Sequence, residues 1–333
     1  MKKILVTGGA GFIGSNFIIY MMDKYPAYEI VNLDKLTYAG NLENLKSVEN
    51  NPKYTFIHGD ICDKEIVRKA MMGCDLVVHF AAESHVDRSI NEPAVFMQTN
   101  VIGTEILLET ALELGIKRFH HVSTDEVFGT LSLDNLGEKF NENTPYSPRS
   151  PYAASKAGSD HLVRAFMETY NFPATISNCT NNYGPFQFPE KIIPLFITNA
   201  FENKPLPVYG KGKAVRDYLY VIDHCIALDL IIHKGKIGET YCIGGNSEKN
   251  GLEITDTILN LLDKPKSLQT FVEDRKGHDM RYAMDHSKIT RELGWTPSVS
   301  FEEGIQKTID WYKDNKPWWQ KIISKEHLGK NKK

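Results

Sequence analysis

Two pairs of residues have the types and spacing that proton chemistry requires. Tyr152 and Lys156 in "YAASK" stand four residues apart, on one face of the helix that follows "SPRSP". An ammonium beside a phenol favours the phenolate, which draws the tyrosine down from its ordinary value of about 10 toward one at which it serves as a base. The second pair, Asp125 and Glu126 in "STDEVFG", directly follows an apolar run that reads as a strand ending at Val122. Two carboxyls in one pocket resist being charged together, so one is expected to keep its proton and act as the acid. On an ordinary surface the same four residues would be a helix contact and a solvated turn.

A third signal is a place for phosphate. "VTGGAGFIG" sets Gly8, Gly11 and Gly14 at G-x-x-G-x-x-G spacing between a strand and a helix. Glycine there allows a tight turn and close approach of the backbone to a pyrophosphate, which meets the free N–H groups of the helix start. Asp34 ends the next strand, "EIVNLD", 20 residues beyond Gly14, where an acid accepts hydrogen bonds from a ribose. The pairing indicates a dinucleotide, and the acid favours NAD over NADP because a 2'-phosphate would be repelled. Lys35 next door softens that preference, and Asp60 after the third strand would lie near the adenine.

These groups need a frame. Short apolar runs ("KILVTG", "EIVNLD", "YTFIHGD", "DLVVHFAA", "RFHHVS") alternate with helical stretches through the first half. The rhythm predicts a Rossmann-type, doubly wound parallel sheet with helices on both faces. After residue 175 Pro- and Gly-marked stretches separate short helices. This predicts an NAD-binding domain over 1–175 and a smaller mixed α/β substrate lobe, mainly 176–333, with later segments returning to the first domain. No internal repeat or low-complexity linker is found.

Composition narrows the partners. In 333 residues, 39 Lys and Arg face 42 Asp and Glu, so nothing draws the chain in bulk to nucleic acid or membrane. Five cysteines without a C-x-x-C pair argue against a disulfide framework or a zinc cluster, and with the short apolar run of "MKKILVTGG" they suggest a cytoplasmic protein. His120, His121, His278 and His286 lack metal-site spacing, so no metal is expected. Ser123 lacks a G-x-S-x-G elbow.

Together the glycine turn, Asp34, Ser123/Thr124 and Tyr152-x-x-x-Lys156 resemble the extended short-chain dehydrogenase/reductases that act on nucleotide sugars. The likeness spans most of the chain, including "NNYGP", "PVYGKG" and "RDYLYV". UDP-sugar epimerases usually carry small or neutral residues at the positions of Asp125 and Glu126. "STDEVFG", "AAESHVDRS", "DKLTYAGN" and "DRKGHDMRYAMD" resemble instead the branch that performs 4,6-dehydration. That resemblance implies a dTDP-glucose substrate and roles residue by residue. Tyr152 takes the 4-OH proton as hydride passes to NAD, and Thr124 binds the 4-oxygen. Glu126 removes the C5 proton, and Asp125 protonates the departing C6 hydroxyl before hydride returns to C6.

The resemblance also implies contacts. Besides Gly8, Gly11, Gly14, Asp34, Lys35, Asp60, Tyr152 and Lys156, the cofactor set includes Phe12, Ile13, Thr37, Ile61, Phe80, Ala81, Ala82, Thr99 and Asn182. For the substrate, Ser84, Asn181, Lys191 and Ile192 would meet sugar and phosphate, with Pro207, Val208 and Tyr209 at the base and Arg216 on the pyrophosphate. Arg275 and His278 close the nucleotide end, and Asn250 would lie near the phosphate. Asn250 stands one position earlier than the family's asparagine, and Lys276 replaces a usual proline. The stretch between "STDEVFG" and Tyr152 is short, which leaves room only for a small lid. A 4-epimerase or decarboxylase, a dehydratase of a UDP- or CDP-sugar, and a nucleotide-sensing protein are the alternatives; the acid pair speaks against the first and the intact Tyr, Lys and acids against the last. Downstream, a deoxysugar such as rhamnose is implied. Apolar residues on the helices at 93–115 and 152–170 (Phe96, Ile106, Leu107, Leu112, Leu162, Phe166) suggest a homodimer contact.

Overall fold

The computed structural model of the chain describes residues 2–274 and 279–330. Its largest element is a parallel sheet of β1 (Lys3–Thr7), β2 (Glu29–Asp34), β3 (Tyr54–His58), β4 (Leu76–His79), β5 (Arg118–Thr124), β6 (Ala174–Cys179) and β10 (Thr240–Ile243). The order is β10-β6-β5-β4-β1-β2-β3, so the chain reverses direction across the sheet between β1 and β4. A crevice opens at such a switch point, outside the carboxyl ends of the strands.

The strands are apolar on both faces because both are covered. Ile4 and Val6 of β1 pack with Phe17 and Met21 of α1 (Phe12–Lys24) and with Leu228 and Ile231 of α8 (Val221–Lys234). Leu5 points the other way, into a cluster with α2 (Lys64–Met71), α5 (Gly103–Glu113) and α6 (Pro151–Tyr170). The period of two along a strand sorts these neighbours onto opposite faces.

Local sequence sets the boundaries of the helix that carries Tyr152 and Lys156. Ser150 caps the first turn of α6 by accepting from Ala153 N–H, Pro151 occupies the first helical position, and Asn171 ends the helix in a left-handed conformation. Such a cap is worth about 1 kcal/mol. The stretch at 93–115 is not one regular helix. After α3 (Val86–Asn91) and α4 (Pro93–Phe96), a π-helical segment spans Met97–Ile102 before α5 begins.

The later half divides its loyalties. β10 completes the large sheet, with α8 and α10 (Ser287–Leu293) packed against it, whereas β7 (Asn181–Tyr183), β9 (Val215–Tyr220) and β11 (Glu248–Asn250) form a small mixed sheet. β8 (Leu206–Tyr209) pairs with β12 (Gln269–Val272). A second core gathers α7 (Ile192–Phe201), α9 (Gly251–Leu261), α11 (Phe301–Asp314) and α12 (Lys316–Lys330) around Trp319, Tyr312 and Phe196. Among the described residues no helix is long and apolar enough to cross a membrane.

Candidate active site

A cleft of about 330 Å³ lies over the carboxyl ends of β1, β2, β4, β5 and β6. At one end is the first turn. Gly8 has φ +70°, and a Cβ there would sit 2.6 Å from the Ala81 nitrogen, so the backbone of this turn packs against the strand end with no room for a side chain. Gly11 begins α1 without any side-chain cap, and Gly11, Phe12, Ile13 and Gly14 line the cleft, so the helix start is presented to it. Asp34 accepts from Ala10 N–H at 2.9 Å and Leu36 N–H at 2.8 Å, which fixes the acid opposite the turn. Burial, only partly offset by those two bonds, raises its carboxyl above the usual value. A glycine-only cradle, an uncapped helix start and a buried acid together fit a dinucleotide pyrophosphate and ribose. Lys35 is paired with Asp60 at 2.6 Å, which turns its charge toward that carboxylate.

Further along the cleft β5 runs two residues past Val122, through Thr124, before Asp125–Phe128 turn into a short 3-10 helix. Thr124 caps that turn, its hydroxyl oxygen accepting from Glu126 N–H at 3.3 Å and donating to Asp125 Oδ1 at 3.2 Å. Asp125 is 2% exposed, and its Oδ2 has no hydrogen-bond partner among the described residues. Burial and then the adjacent Glu126 hold its carboxyl well above the ordinary range, against the pull of Arg216. Burial and the neighbouring charge thus both favour the protonated form of Asp125, the form in which a carboxyl can act as an acid.

The expectation of a lowered tyrosine is not met. Tyr152 is raised well above its usual value by burial, then by Glu126, Cys179 and Asp125, and hydrogen bonding with Thr124 only partly opposes them. Lys156 donates to the Val122 carbonyl at 2.9 Å, so its ammonium is committed to the strand end rather than to the phenol alone. Burial also lowers Lys156, with Asp160 and Cys179 acting the other way.

Thr124, Asp125, Glu126, Tyr152 and Lys156 all line this one cleft, as do Thr37, Asp60, Ile61, Phe80, Ala81, Ala82, Thr99, Ser84, Asn181, Asn182 and Lys191. Asn182 spends its amide inside the protein, on the Thr180 carbonyl and His224. Ile192, Pro207, Val208, Tyr209, Arg216 and Asn250 do not line it. Alternation along β8 turns the side chains of Leu206 and Val208 into the second core and leaves Tyr209 46% exposed. The Arg216 guanidinium donates to the Val215 and Asp279 carbonyls and stacks on Tyr282, so its donors are turned to the protein. Asn250 caps α9 through Oδ1 in a capping box with Glu253. Arg275 and His278 lie outside the described residues.

Sequence reasoning missed Thr180 and Gln187, whose buried Oγ1 and Oε1 lack partners among the described residues and which line the cleft beside Asn181. Their only signal was proximity to "NNYGP". Tyr38 and Glu83 also line it, and were carried unnamed in "DKLTYAGN" and "AAESHVDRS". Among the described residues no cluster of three His, Cys, Asp or Glu is arranged to hold a metal ion.

The sheet order, the glycine turn and the Tyr-x-x-x-Lys pair are those of the extended short-chain dehydrogenase/reductase fold. The family model for GDP-mannose 4,6 dehydratase matches residues 5–308, and the chain belongs to that family. It is 50% identical to a dTDP-glucose 4,6-dehydratase of Escherichia coli, with 98% of each chain covered. It is also 50% identical, over 100% of both chains, to a dTDP-glucose 4,6-dehydratase of Neisseria meningitidis serogroup B. The crystal structure of the dTDP-glucose 4,6-dehydratase DesIV from Streptomyces venezuelae, solved with NAD bound, superposes with a TM-score of 0.93 at 48% identity, covering 96% of this chain and 99% of that one.

Proposed function

We propose that the protein converts dTDP-glucose into dTDP-4-keto-6-deoxyglucose and water, with NAD as a recycled redox group. The observation that carries this reading is the buried Asp125, its carboxyl raised by burial and by Glu126, in the same cleft as Glu126, Thr124, Tyr152 and Lys156. The half-identical dehydratases support it.

NAD bound along the Gly8–Gly14 turn would supply the acceptor for the C4 hydride and its return to C6. Tyr152 receives the 4-OH proton, and Thr124 hydrogen-bonds the 4-oxygen. Lys156 is the cation that favours the phenolate this step needs. A 4-ketone acidifies the C5 proton, which Glu126 accepts, while Asp125 gives its proton to the C6 oxygen that leaves as water. Glu126 returns its proton to C5, and the proton gained by Tyr152 balances the one lost by Asp125. An epimerase removes and returns hydride at the same carbon and has no use for this acid pair.

The test is incubation of the purified protein with dTDP-glucose and, separately, UDP-glucose without added NAD. A 4-keto-6-deoxy product from the thymidine substrate supports the reading, and a galactose epimer or no reaction rejects it. Gly8→Ala puts a Cβ against Ala81 at a positive φ, a conformation costing about 1–2 kcal/mol before any clash. Protein purified with this substitution should carry far less bound nicotinamide, read from its absorbance after denaturation.

The proposal extends to the assembly and compartment. Ile90, Val95, Met97 and Ile102 are each more than 40% exposed, whereas Phe96 and Leu107 of the expected contact are buried in the chain's own core. We place a homodimer contact on those exposed side chains; light scattering that gives a monomer mass at micromolar protein would remove it. All five cysteines are free, which supports a cytoplasmic location.

A further inference from the structure

Beneath the reacting groups lies a second carboxylate that the proposed mechanism does not use. Asp160 sits on α6 one turn beyond Lys156 and two beyond Tyr152, fully buried. Its Oδ2 accepts from Ser123 Oγ at 2.8 Å, Tyr146 OH at 2.7 Å and Asn178 Nδ2 at 3.3 Å, and its Oδ1 lies 3.1 Å from His121 Nε2. Four partners on β5, β6 and the loop before α6 converge on one side chain.

The partners follow one another along the strand that leads into the acid pair. The Val122 carbonyl takes Lys156, the Ser123 hydroxyl goes to Asp160, and the Thr124 carbonyl takes Asn178, itself bound to Asp160. Thus the last three residues of β5 are each tied, directly or through one group, to Lys156 or to Asp160, and Asp125 and Glu126 follow immediately.

The charges around this cluster are few. Burial and Lys156 push the His121 imidazole down to about 4, and His79 is likewise held neutral by burial, so neither histidine carries charge at neutral pH. Cys179 is pushed up to about 12 by burial and Asp125, so it is a thiol. Arg164 faces Asp160 only through the hydroxyl of Tyr146, to which it donates at 2.9 Å. Although burial works against its charge, Asp160 is held below the usual carboxylate range by His121, Lys156 and Tyr146. Asp160 stands one helical turn from Lys156, bonded to Ser123 where Lys156 is bonded to Val122, and its charge supports the ammonium against the burial that lowers it.

We propose that Asp160 is a positioning residue of the reaction: its buried carboxylate is the counter-charge that keeps Lys156 an ammonium and anchors the end of β5 beneath Thr124, Asp125 and Glu126. The role of Lys156 toward Tyr152 rests on the function proposed above, but the charge of Lys156 does not.

The test is therefore read first on Lys156 itself, by NMR titration of isotopically labelled lysine, with its signal assigned through Lys156→Met. Asp160→Asn, which keeps the shape and loses the charge, should move the Lys156 titration down by about one pH unit or more. An unmoved titration overturns the proposal. Should Asp160→Asn not fold, the unsubstituted protein decides: Lys156 charged at about pH 7 supports the assignment, and Lys156 neutral there contradicts it. In turnover, the rising limb of the kcat profile should shift to higher pH with KM for dTDP-glucose changed less than about twofold, because C4 oxidation needs a phenolate that a neutral Lys156 no longer favours. A uniform loss at every pH would mark Asp160 as merely structural. An unsubstituted protein inactive on dTDP-glucose whose Lys156 still responds to Asp160→Asn would defeat the proposed function and leave this assignment standing.

Discussion

Glu126→Gln should stop the reaction after C4 oxidation. The amide cannot accept the C5 proton, so exchange of that hydrogen with solvent should fall by about 10²–10⁴-fold, the usual weight of a positioned base. Oxidation at C4 does not require Glu126, and the variant mixed with dTDP-glucose should show the absorbance of reduced nicotinamide without forming product. Its phenol should also titrate lower, because the Glu126 charge is the largest influence after burial that raises Tyr152. Normal turnover with normal C5 exchange would place the base elsewhere.

Asp125→Asn separates activity from stability. Loss of the acid should slow departure of the C6 hydroxyl by about 10²–10⁴-fold, and a 6-fluoro substrate, whose leaving group needs less help, should suffer much less. Equal slowing of both substrates would exclude Asp125 as the acid. The fold should respond in the opposite direction. The Asp125 carboxyl is raised in the folded chain, which binds its proton more tightly than the unfolded chain does. Stability associated with it is thus complete below the unfolded value of about 4 and is lost as pH rises toward the folded value. Asparagine mimics the protonated form without that loss, so the melting temperature of the variant relative to the unsubstituted protein should climb as pH rises from about 4. A constant difference across pH would mean that Asp125 titrates normally.

How far the sequence announced this site depends on whether the interactions are local. Gly8, Gly11 and Gly14 were readable because a turn between strand and helix is a local event, and Asp34 because it closes the next strand. Tyr152 and Lys156 followed from helical periodicity behind Ser150 and Pro151. The burial of the Val208 side chain was readable too, since the alternation of "LPVY" puts Leu206 and Val208 on one side and Tyr209 on the other.

Other features depend on elements far apart in the chain. The hydrogen bond from Lys156 to the Val122 carbonyl spans 34 residues, and it is set by how α6 lies across β5. The raised phenol of Tyr152 has the same origin: an i, i+4 lysine suggests a low value, whereas burial beside two acids from another element sets a high one. Asp160 is one polar residue among several in "SKAGSDH", and only the stacking of β5, β6 and α6 reveals its four partners. β10 joins the large sheet by pairing with β6, some 60 residues back, a link that no local pattern encodes. The π-helical turn at Met97–Ile102 sits inside an apolar pattern that reads as continuous helix.

The central claim is that one cofactor carries hydride from C4 to C6 while Asp125 and Glu126 remove water between the two transfers. It is tested most directly with dTDP-glucose bearing deuterium at C4, turned over in ordinary water and examined by NMR and mass spectrometry. The expected product is a 4-ketone whose C6 methyl group carries the deuterium. Deuterium retained at C4 in a galactose epimer, or absent from C6 in a dehydrated product, would contradict it.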